Sequence, residues 1–320
     1  MSVPSVTGTL VQIVGAAAAG PLLIGWTRQV RAKLEGRQGA GVLQPYRDLR
    51  KQFGRQSIDP IGTTMVFAVA PSIMAATTLM AVALVPLVTV ISPADRIGDM
   101  FAVVGLLLLG TVSLVLAGLD TGTAFGGMGA SRMTTILALV EPTLLVAVFA
   151  LSIPAGSTNL AGMVANAARR GDLVLSPTGA LAVIALLIVV LAETGRLPFD
   201  NPSTHLELTM VHEAMILEYS GPRLAILEWS SGVRLLVLTG LCANLILPWG
   251  IERGTGSVLS LCVATAAIAL KVGVLNGLVA SFEVVVAKVR LFKVPELLAG
   301  SFLIGLLAVT ASYFVGSQGR

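Results

Sequence analysis

Long apolar runs alternate with short polar connectors along most of this chain. The run from Val6 to Trp26 lies within residues 1–27, which carry no charge, and it is long enough to cross a bilayer. The small residues Ala16 to Gly20 mimic a signal-peptide cleavage site, but no positively charged segment precedes them, so the run reads as a span. Seven more apolar spans follow, at about 63–91, 100–119, 134–154, 176–195, 231–250, 256–280 and 295–316. The pattern predicts an all-α, polytopic integral membrane protein of about eight transmembrane helices, built as a single membrane domain over residues 1–320. Pro71 and Pro86 are expected to kink the first of these seven spans. Trp26, Trp229 and Trp249 fall at predicted helix ends, where interfacial anchors sit. Asn159 to Asp172 reads as a short interfacial helix.

Charge gives the spans an orientation. Arg28 to Arg55 holds eight Lys or Arg against two acids. With the N-terminus outside, the inner connectors collect fifteen Lys or Arg, counting Arg234 at the foot of the sixth span, and the outer connectors collect five. The asymmetry predicts that the long loops 28–62 and 196–230 are cytoplasmic and form a docking face. The glycine-rich stretch from Asp120 to Gly129 falls on the same side, where its glycines suit a tight backbone. It lacks the Lys-Ser/Thr ending and preceding strand of a phosphate cradle.

Composition removes several function classes. Hydrophobic residues make up 55% of the chain and charged residues 12%, and mean hydropathy is strongly positive. Soluble domains carry about twice that charge. The formal charge of +4 comes mostly from one loop and shows no basic face with interleaved aromatics, so no nucleic-acid partner is expected. Cys242 and Cys262 lie in apolar runs without a CxxC partner, which leaves no iron–sulfur ligand set. Any redox centre is expected in another subunit.

The stretch from Glu193 to Arg234 breaks the apolar pattern. It holds both histidines, His205 and His212, and six of the seventeen acids: Glu193, Asp200, Glu207, Glu213, Glu218 and Glu228. Lipid cannot satisfy so polar a segment, so it must face water or be buried against protein. The two histidines, seven residues apart, would stand about 10 Å apart on one helix face, too far to close on one metal ion. His212-Glu213 does not continue into HExxH, and no nucleophile elbow or triad is visible, so neither a metal site nor catalysis by this chain alone is expected.

Proton handling is the stronger chemical reading. A helix over about 203–219 would place Glu207, Val211, Ala214 and Glu218 on one face and Leu206, Met210 and Leu217 on a neighbouring apolar stripe. A solvated amphipathic loop helix explains the same spacing. Ionisable residues within or beside the spans favour function: Glu141 about a third of the way into the fourth span, Glu193 ending the fifth, Arg234 starting the sixth, Lys271 inside the seventh, and Glu283 after it. At similar depth they would form a polar chain leading from the cytoplasmic surface, although interhelical ion pairs would look the same in sequence.

Two segments also carry a family resemblance. AETGRLPFD at 192–200 and EYSG at 218–221 resemble the signature of the complex I membrane subunit called subunit 1 or H. LEGRQGAGVLQPYRDLRK at 34–51 is similar to that family's basic loop. THLELTMVHEAMILEYSG at 204–221 resembles more closely the formate hydrogenlyase and energy-converting nickel-iron hydrogenase branch. Ser203 to Glu207 stands where complex I members carry an acid-rich E-x-E, and Ala40 replaces an expected proline. The resemblance implies a membrane anchor for nickel-iron hydrogenase large and small subunits, set beside antiporter-like membrane subunits in a prokaryotic inner membrane. It also implies that the nickel-iron centre and iron–sulfur clusters are held by partners, with no cofactor bound by this chain. The runner-up is a quinone-site subunit of a complex I-like NADH dehydrogenase. Expected coupling or proton-path residues are Glu141, Glu193, Glu207, Glu213, Glu218, Arg234, Lys271 and Glu283. Expected docking residues are Arg37, Gln44, Pro45, Arg47, Asp48, Lys51, Arg196, Asp200, His205 and His212.

Overall fold

The computed structural model describes residues 3–169, 176–200, 210–253, 257–286 and 293–318. These residues form eleven helices, α1 Val3–Leu34, α2 Gln44–Phe53, α3 Met65–Leu84, α4 Met100–Asp120, α5 Ala124–Ala155, α6 Leu160–Ala167, α7 Pro177–Glu193, α8 His212–Ile216, α9 Gly221–Ile246, α10 Val258–Val285 and α11 Val294–Gln318. Seven of them (α1, α3, α4, α5, α9, α10 and α11) are long and apolar enough to cross a membrane, and α7 is an eighth, shorter apolar helix of 17 residues. The protein is an all-α, multi-pass membrane protein. At a rise of 1.5 Å per residue α7 is only about 25 Å long, less than a typical hydrocarbon core.

Helix starts follow local chemistry. Thr64, Asp99, Thr123, Asn159 and Ser176 cap α3 to α7 with their side-chain oxygens. At the start of α3 the Asp120 carboxylate also accepts from Thr64 N (2.7 Å), Thr64 Oγ1 (2.9 Å) and Phe67 N (3.2 Å), tying the end of α4 to the start of α3. The main packing contacts pair α3 with α4, α5 with α7 and α11, and α1 with α9 and α10.

Several boundaries differ from the sequence reading. The expected span 63–91 ends at Leu84, because Pro86 has no N–H and disfavours helix at the residue before it. Pro71 stays inside α3. α5 begins at Ala124 rather than near 134, since Thr123 caps it inside the glycine-rich stretch. α9 begins at Gly221, ten residues before the expected start, so residues 221–230 of the expected inner loop are helical and Arg234 lies mid-helix. Glu141 lies near the middle of the longer α5 rather than a third of the way in. Of the helix expected over 203–219, the described residues show only His212–Ile216; Val211 is outside it, and Glu207 and His205 lie outside the described residues. The expected interfacial helix is α6, whose Leu160, Met163 and Val164 are buried in protein instead of lying on lipid. Trp26 and Trp229 are not end anchors: they sit within α1 and α9 and donate their indole N–H to Gly273 O (3.0 Å) and Ala17 O (2.9 Å).

The segment after α3 is non-helical and buried, yet its backbone is satisfied. Gln12 of α1 donates from Nε2 to Val82 O (2.6 Å) and Val85 O (2.8 Å), and its Oε1 accepts from Leu87 N (3.1 Å) and Val88 N (2.9 Å). Asn244 of α9 donates to Pro86 O and Leu87 O at 2.8 and 2.9 Å. Glu252 exchanges backbone bonds with Val88 and Val90. Without water, these partners are what permits irregular backbone at this depth. Gln12→Ala removes four of the bonds, and each buried group left unpaired costs about 1–3 kcal/mol. The variant is expected to melt well below wild type in the purified complex, whereas Leu10→Ala, at a position 55% exposed, is expected to leave the midpoint in place. Equal midpoints for the two variants would show that Gln12 does not hold this segment.

Candidate functional site

The site begins where α7 stops. Gly195, with φ +59°, ends the helix: its N–H donates to Ala192 O (3.1 Å) and the Arg196 N–H to Leu191 O (2.9 Å). This double closure is the glycine-terminated turn common at helix ends, and Pro198 three residues later prevents the helix from resuming. The chain then turns through buried Leu197, Phe199 and Asp200. Asp200 Oδ2 accepts from Val211 N (3.3 Å) and His212 N (3.2 Å), and Arg132 of α5 donates to Met210 O (3.0 Å). The carboxylate and the guanidinium thereby fix the entry to α8.

The short α7 leaves room in the bundle for a cavity of about 620 Å³. Its outer wall is charged, with Arg28, Arg31, Glu35 and Arg37 from α1 and the turn after it. Its inner wall is apolar, with Met74, Leu114, Met133, Ile136 and Leu235. Exposure falls along it, from 71% for the Arg37 side chain to 6% for Arg234 and 1% for Glu193. Near the mouth, Arg31 bonds Glu35 (2.9 Å), Arg37 pairs with Glu35, and Glu283 of α10 lies 3.9 Å from Arg31 and 3.4 Å from Arg196. Arg196 also donates to Thr27 Oγ1 (3.2 Å). Burial pulls the Arg196 guanidinium below its ordinary pKa, and the Glu283 carboxylate opposes that shift. Deeper, Arg234 Nη2 bonds Glu193 and the Leu107 carbonyl, the latter at 2.9 Å. Glu141 follows, 7% exposed and within the electrostatic reach of both Glu193 and Arg234.

The structure therefore brings together Glu193, Arg234, Glu283, Arg196, Asp200, His212 and Glu213 around one cavity, with Glu141 beside its inner end. It does not bring Lys271 there. The Lys271 ammonium bonds Asn244 Oδ1 (2.9 Å) and the Trp249 carbonyl and lies 4.8 Å from the centre of the Trp249 ring. Asn244 is ten residues beyond Arg234 on α9, about 15 Å along the axis. Glu218 is not among the lining residues. His212 approaches Ser231 Oγ at 3.5 Å, and among the described residues no group of three or more His, Cys, Asp or Glu is placed to hold a metal ion. Sequence reasoning missed Thr27, Arg28, Arg31 and Glu35 as cavity residues because it ended the first helix at Trp26. The spacing of Arg28, Arg31 and Glu35, one helical face, was the available signal.

The two long connectors are knit together at the same end. Tyr219 stacks on Phe67 with ring centroids 4.0 Å apart and donates to the Phe67 carbonyl at 2.8 Å. Burial pushes its phenol pKa upward. Ser220 Oγ accepts from Ile58 N (2.9 Å), and Arg223 pairs with Asp59. Gly221 has φ +58°, and a Cβ there would lie 2.8 Å from Gln56 O, so the last residue of EYSG can only be glycine. α2 rests on the bundle through Pro45 and Leu49, while Gln44 donates to Asp48 along the helix (2.9 Å). Its outer face exposes Arg47, Arg50, Lys51 and Phe53, next to exposed Ile58 and Ile61.

Fold and site define a class: a polytopic helical membrane protein whose charged cavity opens among its long connectors. The chain belongs to the family described as NADH dehydrogenase, whose model matches residues 7–313. It is 35% identical over 305 residues to formate hydrogenlyase subunit 4 of Escherichia coli (strain K12), covering 95% of this chain and 97% of that one. It is 37% identical over 231 residues to hydrogenase-4 component C of the same organism, covering 72% and 71%. Its fold is shared by a chain in the structure of the membrane-bound sulfane sulfur reductase, an archaeal respiratory membrane complex, with a TM-score of 0.84 at 20% identity over 96% of this chain and 99% of that one.

Proposed function

We propose that this chain is the membrane-anchor subunit of a multisubunit nickel-iron hydrogenase complex of the formate hydrogenlyase type. In this reading it docks the soluble redox arm and helps couple electron transfer to proton or sodium movement. The observation that carries the proposal is the graded cavity, which runs from exposed Arg37 to the buried Glu193–Arg234 pair. A unit charge arriving about 10 Å away, at an effective dielectric constant near 20, is worth roughly 1.7 kcal/mol. That exceeds the energy of one pKa unit, so electron arrival at the docked arm is able to change ion occupancy along such a path. The relatives' names support hydrogenase partners. The nickel-iron centre and iron–sulfur clusters then belong to the large and small subunits, with antiporter-like subunits alongside in the membrane. The apolar inner wall favours one competing reading, a quinone site in a complex I-like dehydrogenase. Copurification of a nickel-iron subunit favours the first reading; quinone reductase activity with a flavin-containing arm favours the second.

The excess of Lys and Arg on the α2 end supports placing that end in the cytoplasm of a prokaryote, with the N-terminus outside. In intact cells, a Ser57→Cys variant is expected to resist a membrane-impermeant thiol reagent while a Ser2→Cys variant reacts. The opposite pattern would reverse the orientation.

The exposed basic and apolar residues of α2 form the docking platform in this reading. Arg47→Glu with Arg50→Glu is expected to release the soluble arm while the membrane part stays inserted. Unchanged copurification of the hydrogenase subunits with this variant would remove α2 from the interface.

Glu193→Gln keeps the side-chain volume but removes the charge facing Arg234. If the pair serves coupling, the assembled complex should keep hydrogenase activity with an artificial soluble carrier and lose most of its membrane-linked turnover or ion pumping. A variant that assembles poorly but pumps at the normal ratio would make the pair structural, and full assembly with full coupling would deny it either role.

A further inference from the structure

Lys271 is a buried charge that the cavity leaves unused. It stands midway along α10 and is 5% exposed. Its ammonium is held by Asn244 Oδ1 (2.9 Å), by the Trp249 carbonyl and by the face of the Trp249 ring, 4.8 Å away. None of the ion pairs among the described residues includes it, and no other charged group there acts on it appreciably. Asn244 and Trp249 explain how the charge is tolerated. They do not require one, because a neutral donor such as glutamine would serve the same two oxygens without the cost of burying a charge in a membrane.

Its position gives the charge a use. Asn244 lies ten residues beyond Arg234 on α9, about 15 Å along the axis, so the ammonium sits between the buried end of the cavity and the end of the bundle opposite α2. Helix is interrupted at that depth. The segment after α3 meets the connector after α9 there: Asn244 Nδ2 donates to Pro86 O and Leu87 O, and Glu252 exchanges backbone bonds with Val88 and Val90. Non-helical backbone inside a membrane protein is either buried in protein or lines water, and its carbonyls can accept from either. Packing closes this junction tightly, since a Cβ added at Gly240 would lie 2.5 Å from the Leu87 side chain and one at Gly250 would lie 2.6 Å from Ala267. Close packing excludes a hydrated ion, but a proton needs only a short file of hydrogen bonds. A fixed positive charge opposes the proton as well.

We propose that Lys271 is an electrostatic seal that keeps protons from passing between the charged cavity and the opposite end of the bundle. Two like unit charges about 6 Å apart, at an effective dielectric constant near 20, disfavour each other roughly 100-fold. The ammonium exerts this effect in full because no carboxylate among the described residues pairs with it. The seal goes beyond the coupling reading and does not depend on it: a polar cavity reaching deep into a membrane needs closing at its far end whether or not ions are moved through it.

The test uses the purified whole complex in sealed lipid vesicles without an electron donor, so that passive flux alone is read. Wild type, Lys271→Gln and Lys271→Arg are compared for proton flux under a potassium diffusion potential, with chloride flux measured alongside. Lys271→Gln is expected to raise proton flux about 10-fold or more and leave chloride flux unchanged, whereas Lys271→Arg stays near wild type. Wild-type proton flux in an assembled Lys271→Gln variant overturns the seal. So does a chloride flux that rises as much as the proton flux, because it marks a packing gap instead of a lost charge. If Lys271→Gln does not assemble, Trp249→Glu leaves Lys271 in place and sets a carboxylate beside its ammonium, at a position 49% exposed. Proton flux is expected to rise there too, and no rise in that variant overturns the seal.

Discussion

The pairing of Glu193 with Arg234 inside an apolar bundle is the interaction on which the rest of the arrangement depends. A guanidinium halfway along α9 is tolerable only if a carboxylate reaches it away from water, and Glu193 does so because α7 ends there. Had α7 continued, it would have filled the space now occupied by the cavity. The glycine-terminated turn at Gly195 therefore performs two tasks at once. It places a carboxylate at depth, and it redirects the chain so that Arg196 and Asp200 become walls of the same space.

Irregular backbone within the bundle obeys the same constraint. Two interruptions of helix among the described residues are matched by polar side chains: Gln12 and Asn244 from α1 and α9 for the segment after α3, and Asp200 of the connector with Arg132 of α5 for the approach to α8. Gln12, Asn244 and Arg132 lie outside the charged cavity and Asp200 lines it, yet all four decide which connectors can hold a fixed shape. Lys271 belongs with them. Its ammonium stabilises the Asn244 and Trp249 end of α9, and that accounts for a charge in mid-helix without recruiting it to the cavity.

Most of the architecture was legible in the chain, because apolar runs of membrane length leave little alternative to helices. The eight apolar segments appear in the structure, one of them too short to span on length alone. Boundaries were less legible wherever a helix runs beyond its apolar part. α1 continues through Arg28 and Arg31 to Leu34, and α9 starts at Gly221, because charged residues that line a cavity are no obstacle to helix. Glu193, Arg234 and Glu283 were readable as candidates from their cost in a membrane. The contacts of Arg234 with Leu107 and of Glu283 with Arg196 were not, since they form only through folding, across separations of 127 and 87 residues.

The two signature segments have distinct physical jobs, and this explains why they are separated in sequence yet meet at one end of the molecule. AETGRLPFD ends α7 and shapes the cavity, whereas EYSG fastens the 56–59 segment to the start of α9 through Ser220 and Gly221. The fastening holds the connector that follows α2 against the helix carrying Arg234. The stacked Tyr219–Phe67 pair ties the residue before Ser220 to α3 in the same way. Close backbone contact and a stacked aromatic pair, rather than flexible side chains, therefore set where the exposed connector sits relative to the helix that carries Arg234.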